Sequence, residues 1–456
     1  MKKRLFAVCA AVMMLCLCSC GRSHSLEKAL ADRDPLPHWK NSQTQPVQET
    51  SAAAEEDVTL PQTQPVQETS AAAEENVTLP QSQPVQKEHG VIQQVLPMSD
   101  GAVAVLYTNG TVNVAGNSQL SEAVADWSSV EQLYYQDRMK IGDAYQDTPT
   151  ILCRTTDGSI LSTAGDFSDW KNIADINCLG YLGVLGITQE GKILTNHAGI
   201  DDPMKDAMME LDNVEKIVYS MFFEYAACLQ KDGTVKFVDN MRILEETWYD
   251  VNEVKDSGHA FYGMRNDGTV VGGLNTVNPG LDHAEKVVSY FDVLFGISPD
   301  GRLLTESGGN IYGFAGIICV DVPGSDQYGG EVDIHKYNQL EDIVIFPYGL
   351  LLLNRDGTVD SIGNGTYPWD FSRWKNVQKL YSSAIQDENS NYIALVYALH
   401  PDGSVSLARD DGQWIDQYCG WRLQEIYYGD NGIIGLTTDG TLVGDGAYAN
   451  TDFSGI

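Results

Sequence analysis

Side chains able to act on a substrate or hold a metal are plentiful in this chain, but few stand at a spacing that chemistry needs. His197, His259, His283, His335 and His400 are scattered and match no zinc-ligand pattern. No Gly-x-Ser-x-Gly elbow, His-Glu-x-x-His pair or phosphate-cradling glycine loop occurs. After Cys20 the cysteines are Cys153, Cys178, Cys228, Cys319 and Cys419, too sparse for a disulfide framework and without a Cys-x-x-Cys. No cofactor and no metal are expected. Carboxylates dominate: residues 91–456 carry 21 basic and 52 acidic side chains, a net of −31. A catalytic pair among them is defined by a three-dimensional separation, which a sequence does not give. The negative field argues against nucleic acid, whose binding neutralises phosphates with Lys and Arg.

The aromatic residues divide into two groups. Trp127, Trp170, Trp248 and Trp374 recur at one position of an internal repeat, which is the mark of packing, whereas Trp369 and Trp414 stand off that frame. Two long irregular stretches, about 135–150 and 305–340, carry Tyr135, Tyr145, Tyr312, Phe314, Tyr328 and Tyr337. Tyrosine suits an interface because its ring is apolar and its tip hydrogen-bonds, and loops on a rigid scaffold commonly hold binding sites. These six are the candidate binding residues. Cys153 and Cys228 sit where five other units have Gly or Ala and two have larger aliphatics, and read as small hydrophobes.

The elements that position these groups begin only after residue 88. Lys2, Lys3 and Arg4 precede a thirteen-residue apolar run, Leu5 to Leu17, too short for a span of about 20 residues. The run closes Leu17-Cys18-Ser19-Cys20-Gly21, which resembles a bacterial lipobox. The resemblance implies a signal peptide over 1–19, lipid attachment at Cys20, and a chain held at the outer side of a bacterial cell membrane. Residues 44–62 then recur at 63–81 with one change, Asp57 to Asn76. This Gln-, Glu-, Ala- and Pro-rich segment cannot bury enough apolar surface to order itself, so 20–88 reads as a disordered acidic tether. As a flexible coil it would span roughly 45 Å.

From residue 89 short apolar runs are punctuated by an Asn-Gly, Asp-Gly or Glu-Gly pair. The pairs are Asn109-Gly110, Asp157-Gly158, Glu190-Gly191, Asp232-Gly233, Asp267-Gly268, Asp300-Gly301, Asp356-Gly357, Asp402-Gly403 and Asp439-Gly440. The expected turn has two central residues, both with positive φ. An apolar residue always stands six before the pair (Val103, Ile151, Val184 and their counterparts) and three after it (Val112, Ile160, Ile193 and theirs). Upstream runs an anchor followed at +3 and +6 by apolar residues, as in Trp127-Val130-Leu133 and Trp374-Val377-Leu380. Each unit reads as strand, strand, glycine turn, strand, and must stack on neighbours to bury both faces.

The units running from Trp170 (WKNIADI) and Trp374 (WKNVQKL), together with the Asp-Gly-Thr-Val turns at 232–235, 267–270 and 356–359, resemble regulator-of-chromosome-condensation repeats in the short bacterial form. The resemblance covers 91–456 and implies an all-β, closed β-propeller of three- to four-stranded blades. Nine units are counted where family propellers commonly have seven blades, so seven to nine blades are expected. The Trp-Gly that follows the turn in the fuller eukaryotic repeat is absent, and with it the ground for exchange-factor activity. Because the chain stops at Asp452-Phe453-Ser454, where a further strand should follow, the strand near Val91 is expected to complete the last unit. The leading functional expectation is a non-catalytic surface module binding a protein or glycan partner. An extracellular hydrolase of polysaccharide or peptidoglycan and an envelope sensor are the alternatives.

Overall fold

The structure, a computed structural model, describes residues 90–137, 139–141, 144–146, 149–179, 183–196, 203–220, 225–239, 242–256, 261–272, 276–277, 281–290, 293–305, 333–347, 349–363, 370–386, 392–410, 412–429 and 432–456. Cys20, the tether, Tyr312, Phe314, Tyr328 and Trp369 lie outside the described residues. Within them the chain is all-β apart from two short α-helices, Ser118–Val124 and Pro203–Met209, and three single 3-10 turns.

Nine antiparallel sheets of three or four strands follow one another along the described chain. Their first strands are Ile92–Pro97, Val130–Gln136, Ile173–Cys178, Val214–Ser220, Val251–Asp256, Lys286–Tyr290, Leu340–Phe346, Lys379–Gln386 and Leu423–Gly429. Each sheet is one unbroken stretch, and each holds one of the nine glycine pairs between its second and third strands. A separate two-stranded hairpin, Met139–Ile141 with Ala144–Gln146, is inserted between the first two strands of sheet 2.

The turn is not the one expected from its sequence. Only the glycine has positive φ, between 75° and 87° across the nine units, while the Asn, Asp or Glu before it does not. Gly158 N–H bonds to Thr155 O and Thr155 N–H to Ser159 O, which is a type I turn closed by a left-handed glycine. The aspartate is selected as an acceptor instead: Asp157 Oδ1 takes the N–H of Ser159 at 3.0 Å and the hydroxyl of Thr155 at 2.6 Å. These bonds hold the Asp157 carboxyl below its ordinary range, and Asp232, Asp267, Asp356, Asp402 and Asp439 are lowered likewise.

The three-residue spacing of apolar residues in the first strands also has a local cause, because a plain strand alternates every two. In seven first strands the pairing slips by one residue, as between Val130 and Gln132 or between Val251 and Glu253. In sheets 6 and 8, Glu285 and Gln378 donate to the carbonyls of Ile297 and Leu399, the same residues that Lys286 and Lys379 face in register. This two-against-one arrangement is a β-bulge, which returns residues three apart to one face. Just before the bulge, Ser129, Asn172, Asn213, Asp250, His283 and Asn376 adopt φ between 54° and 62°. Asn, Asp and His tolerate that left-handed region better than most residues.

The core lies between the sheets. Among the described residues it falls into nine apolar clusters, and each draws on two sheets. Eight join consecutive sheets, as Ala227, Leu229 and Phe237 of sheet 4 meet Val251, Val254 and Phe261 of sheet 5. The ninth joins the last sheet to the first: Ile434 and Leu442 meet Val95, Val103 and Val105, with Tyr448 between them. The tryptophans belong to these clusters. Trp170 lies against Gly186, where an added Cβ would stand 2.5 Å from its ring, and Trp248 lies similarly against Gly263. That contact is why the position four before the turn residue is glycine in these two sheets; sheets 1 and 7 hold Val105 and Leu352 there.

One expectation is corrected. Ile92–Pro97 does not complete the last unit; it pairs with Val103–Tyr107 in sheet 1, and sheet 9 has its own first strand, Leu423–Gly429. The Asp-Phe-Ser segment is a lead-in that packs ahead of the next sheet rather than the start of one. Phe167 and Phe371 fill the clusters between sheets 2 and 3 and between 7 and 8, and Phe453 packs at the same place between sheets 9 and 1.

Candidate functional site

The first strands of neighbouring sheets lie side by side, Ile92–Pro97 next to both Val130–Gln136 and Leu423–Gly429. These adjoining first strands are termed the inner strands. The bulge governs what they present. Immediately after it come Gln94, Gln132, Asp175, Lys216, Glu253, Lys286, Asp342, Lys379 and Glu425, one from each sheet. From Asp175 onward the sign alternates from sheet to sheet, so the five charges from Lys216 to Lys379 have opposite charges on both flanking sheets, while Asp175 and Glu425 also adjoin the glutamines of sheets 2 and 1.

Several of these groups bond across to the next sheet. Lys286 pairs with Asp342, and Lys379 Nζ lies 2.5 Å from Glu425 Oε2. The Tyr381 hydroxyl donates to the other oxygen of Glu425. Asp175 accepts from the Tyr134 hydroxyl at 3.0 Å, and Gln94 bonds both the N–H and the carbonyl of Leu133 at 2.9 Å. Burial pushes the Glu425 carboxyl up, but the bonds from Lys379 and Tyr381 outweigh it and hold it below the usual glutamate range. Burial and the partner carboxylates push the Tyr134 and Tyr381 phenols up, so both stay protonated donors at neutral pH.

Tyr135 lies at the end of its inner strand, partly buried. Its hydroxyl donates to Asp137, receives the Ser99 N–H at 3.2 Å and lies 2.8 Å from Ser99 Oγ, tying sheet 2 to the first hairpin of sheet 1. Burial first, then the bond to Asp137, raises its pKa. The backbone of Tyr145 lies opposite Lys140 in the inserted hairpin; its side chain is outside the described residues. Tyr337 is 7% exposed and belongs to the cluster between sheets 6 and 7, with Lys336 Nζ 4.7 Å from its ring centre. Its ring is committed to packing. The structure therefore does not bring Tyr135 and Tyr337 into one surface. Trp414 packs edge-on to Phe371 and Trp374, each at 5.4 Å, and Arg373 covers its other side at 4.9 Å. No group of three or more His, Cys, Asp or Glu side chains suited to a metal occurs among the described residues. The inner charges were legible in the sequence as an alternation at one repeat position, two residues past the first apolar residue of each first strand.

No protein-family model matches the chain, and no curated protein does. Among solved structures, BBS1N in its complex with ARL6DN is 11% identical at a TM-score of 0.30, covering 64% of this chain and 85% of that one. BamB from Moraxella catarrhalis is 12% identical at a TM-score of 0.25, covering 69% of this chain and 96% of that one. Similarity this loose says nothing about function.

Proposed function

We propose that this chain is a non-catalytic, lipid-anchored surface protein of a bacterium. Its nine sheets close into a nine-bladed β-propeller that binds a protein or glycan partner. Closure is supported by the number of apolar clusters, nine for nine sheets, since an open stack of nine would have eight inter-sheet interfaces. Lipidation at Cys20 and the acidic tether keep the basis they have in the sequence, and the RCC-like repeat likewise.

The observation that carries the binding reading over an enzyme is the use made of the inner carboxylates. At the inner edge of such a ring a hydrolase would hold its acid and base, with separated pKa values and room for substrate. Here Asp175, Asp342 and Glu425 are engaged by Tyr134, Lys286, and Lys379 with Tyr381, each from the preceding sheet. These pairs align sheets. Binding then falls to the ends of the inner strands and the insertions, where Tyr135 and, from the sequence, Tyr312 and Tyr328 stand.

The test is a binding screen of the detergent-solubilised full chain against envelope polysaccharides and surface-protein extracts. The expected result is a saturable partner, recovered intact, lost with Tyr312→Ala or Tyr135→Ala and kept with Glu425→Gln. Recovery of cleaved glycan, with cleavage abolished by Glu425→Gln, would replace this reading with the hydrolase.

A further inference from the structure

We infer that residues 447–456 are a latch that holds sheet 9 against sheet 1, and that its release opens the ring at this junction alone. The inference rests on the closed-ring reading above. At each of the other eight junctions the chain runs on from one sheet into the next. There the carbonyl of the turn glycine also accepts a backbone N–H from the lead-in or first strand of the following sheet. Examples are Val130 N–H to Gly110 O at 3.0 Å, Val251 to Gly233 at 2.9 Å and Leu423 to Gly403 at 2.7 Å. At Gly440, among the described residues, no such bond forms and nothing lies within 4 Å of where its Cβ would be.

A different set of contacts holds the seam. Tyr448 is fully buried, and its hydroxyl donates to Met98 O at 2.8 Å. Thr451 Oγ1 donates to Gly101 O, and Asn113 Nδ2 to Gly455 O, both at 2.9 Å. Gly429, Gly432 and Gly444 form the slot: a Cβ on Gly429 or Gly444 would meet Tyr448 closer than side chains allow, and one on Gly432 would meet Asp445 O at 2.3 Å and the Tyr448 ring at 3.0 Å. Phe453 and Ile456 cover the same cluster from outside.

Local opening favours the place where no chain connection resists separation. The seam is the one junction of the nine that the chain does not run through, and side-chain bonds of residues 447–456 stand in for the connection. Opening there uncovers Val95, Val103 and Val105 on one side and Ile434 and Leu442 on the other, a continuous apolar face. Residues 1–89 lead directly into Ile92–Pro97, so tension along them acts on sheet 1, one half of this junction.

Thiol labelling of the full chain tests the latch, with modified peptides read by mass spectrometry. Val105→Cys reports on the seam. Native Cys153 and Cys228, both fully buried, report on the junctions between sheets 1 and 2 and between 3 and 4. Exposed Cys419 is the surface reference. The latch requires Val105→Cys to label at least about tenfold faster than Cys153 and Cys228, yet far slower than Cys419. Tyr448→Phe should speed labelling at position 105 by about a further tenfold, the equivalent of one buried hydrogen bond, and leave the two native references unchanged. Thr451→Val, milder for the fold, should act in the same direction. One common rate for Val105→Cys, Cys153 and Cys228, or an equal rise at all three in both variants, overturns the latch and leaves the closed ring standing. If Val105→Cys labels as fast as Cys419 with the latch intact, the ring is not closed and both readings fall.

Discussion

The junction between sheets 4 and 5 and the junction between sheets 9 and 1 bury similar apolar faces but are held together differently. In the first, Phe237 packs edge-on to Trp248 at 4.7 Å, the chain passes from one sheet to the next, and Gly233 receives a backbone bond from Val251. In the second, among the described residues, there is no tryptophan and no such backbone bond; a tyrosine in a glycine slot and two side-chain bonds take their place. The lesson is that the apolar cluster is common to every junction, whereas the polar fastening depends on whether the chain continues through it.

The sharpest way to break the comparison is to empty one ordinary junction. Phe237→Ala should cost about 3–5 kcal/mol in urea unfolding, because the ring is fully buried and its neighbours cannot collapse into the space. At the seam, Gly429→Ala should cost about 1–3 kcal/mol by overpacking against Tyr448. Tyr448→Ala should lower the further cost of that added methyl, so the double variant would be more stable than the two single losses summed. If the two losses simply add, the slot is not what constrains position 429. A smaller effect belongs to the left-handed residue before each bulge. Asn376→Ala should lose about 1 kcal/mol, while Asn376→Gly keeps that conformation and loses less. The smallest concerns the partly exposed inner pairs: Lys379→Ala should lose about 0.2–1 kcal/mol, and less in high salt.

Protonation gives a fifth handle. Glu425 and the turn aspartates are held below their ordinary ranges, so their contribution is complete above those ranges and fades as pH falls through the folded values. Stability should therefore drop below about pH 4. Asp157→Asn should flatten part of that drop without loss at neutral pH. Asn109 already fills this role in sheet 1, its Oδ1 accepting the Thr111 N–H at 3.1 Å. A melting series against pH, in which the variant and the parent fall in parallel, would show that turn not to contribute.

Repeat boundaries, strand order and the core role of the tryptophans were legible because packing imposes the same residue types at the same spacing in every unit. The turn was recognised but its geometry was not. An Asp-Gly pair satisfies both a turn with two positive φ values and a type I turn with one, and the Thr155 and Ser159 bonds to Asp157 distinguish them. The seam was misplaced because Asp452-Phe453-Ser454 matches the lead-ins at 166–168 and 370–372, and a lead-in looks like the start of whatever follows it. For the candidate site, Tyr135 and Tyr337 are both tyrosines in irregular stretches, and only burial separates the one at a strand end from the one inside a cluster. The alternating inner charges went unread because the bulge, not the strand period, decides which residue faces inward.

That every sheet is one unbroken stretch of chain also bears on how freely the sequence could be re-cut. A gene opened at the lead-in of any other junction, and rejoined across the seam by a short linker, would encode a circular permutant with all nine sheets whole. On the closed-ring and latch reading proposed above, the contacts of Tyr448 and Thr451 would then lie on a through-chain connection, and the junction that opens first would move to wherever the new ends were placed.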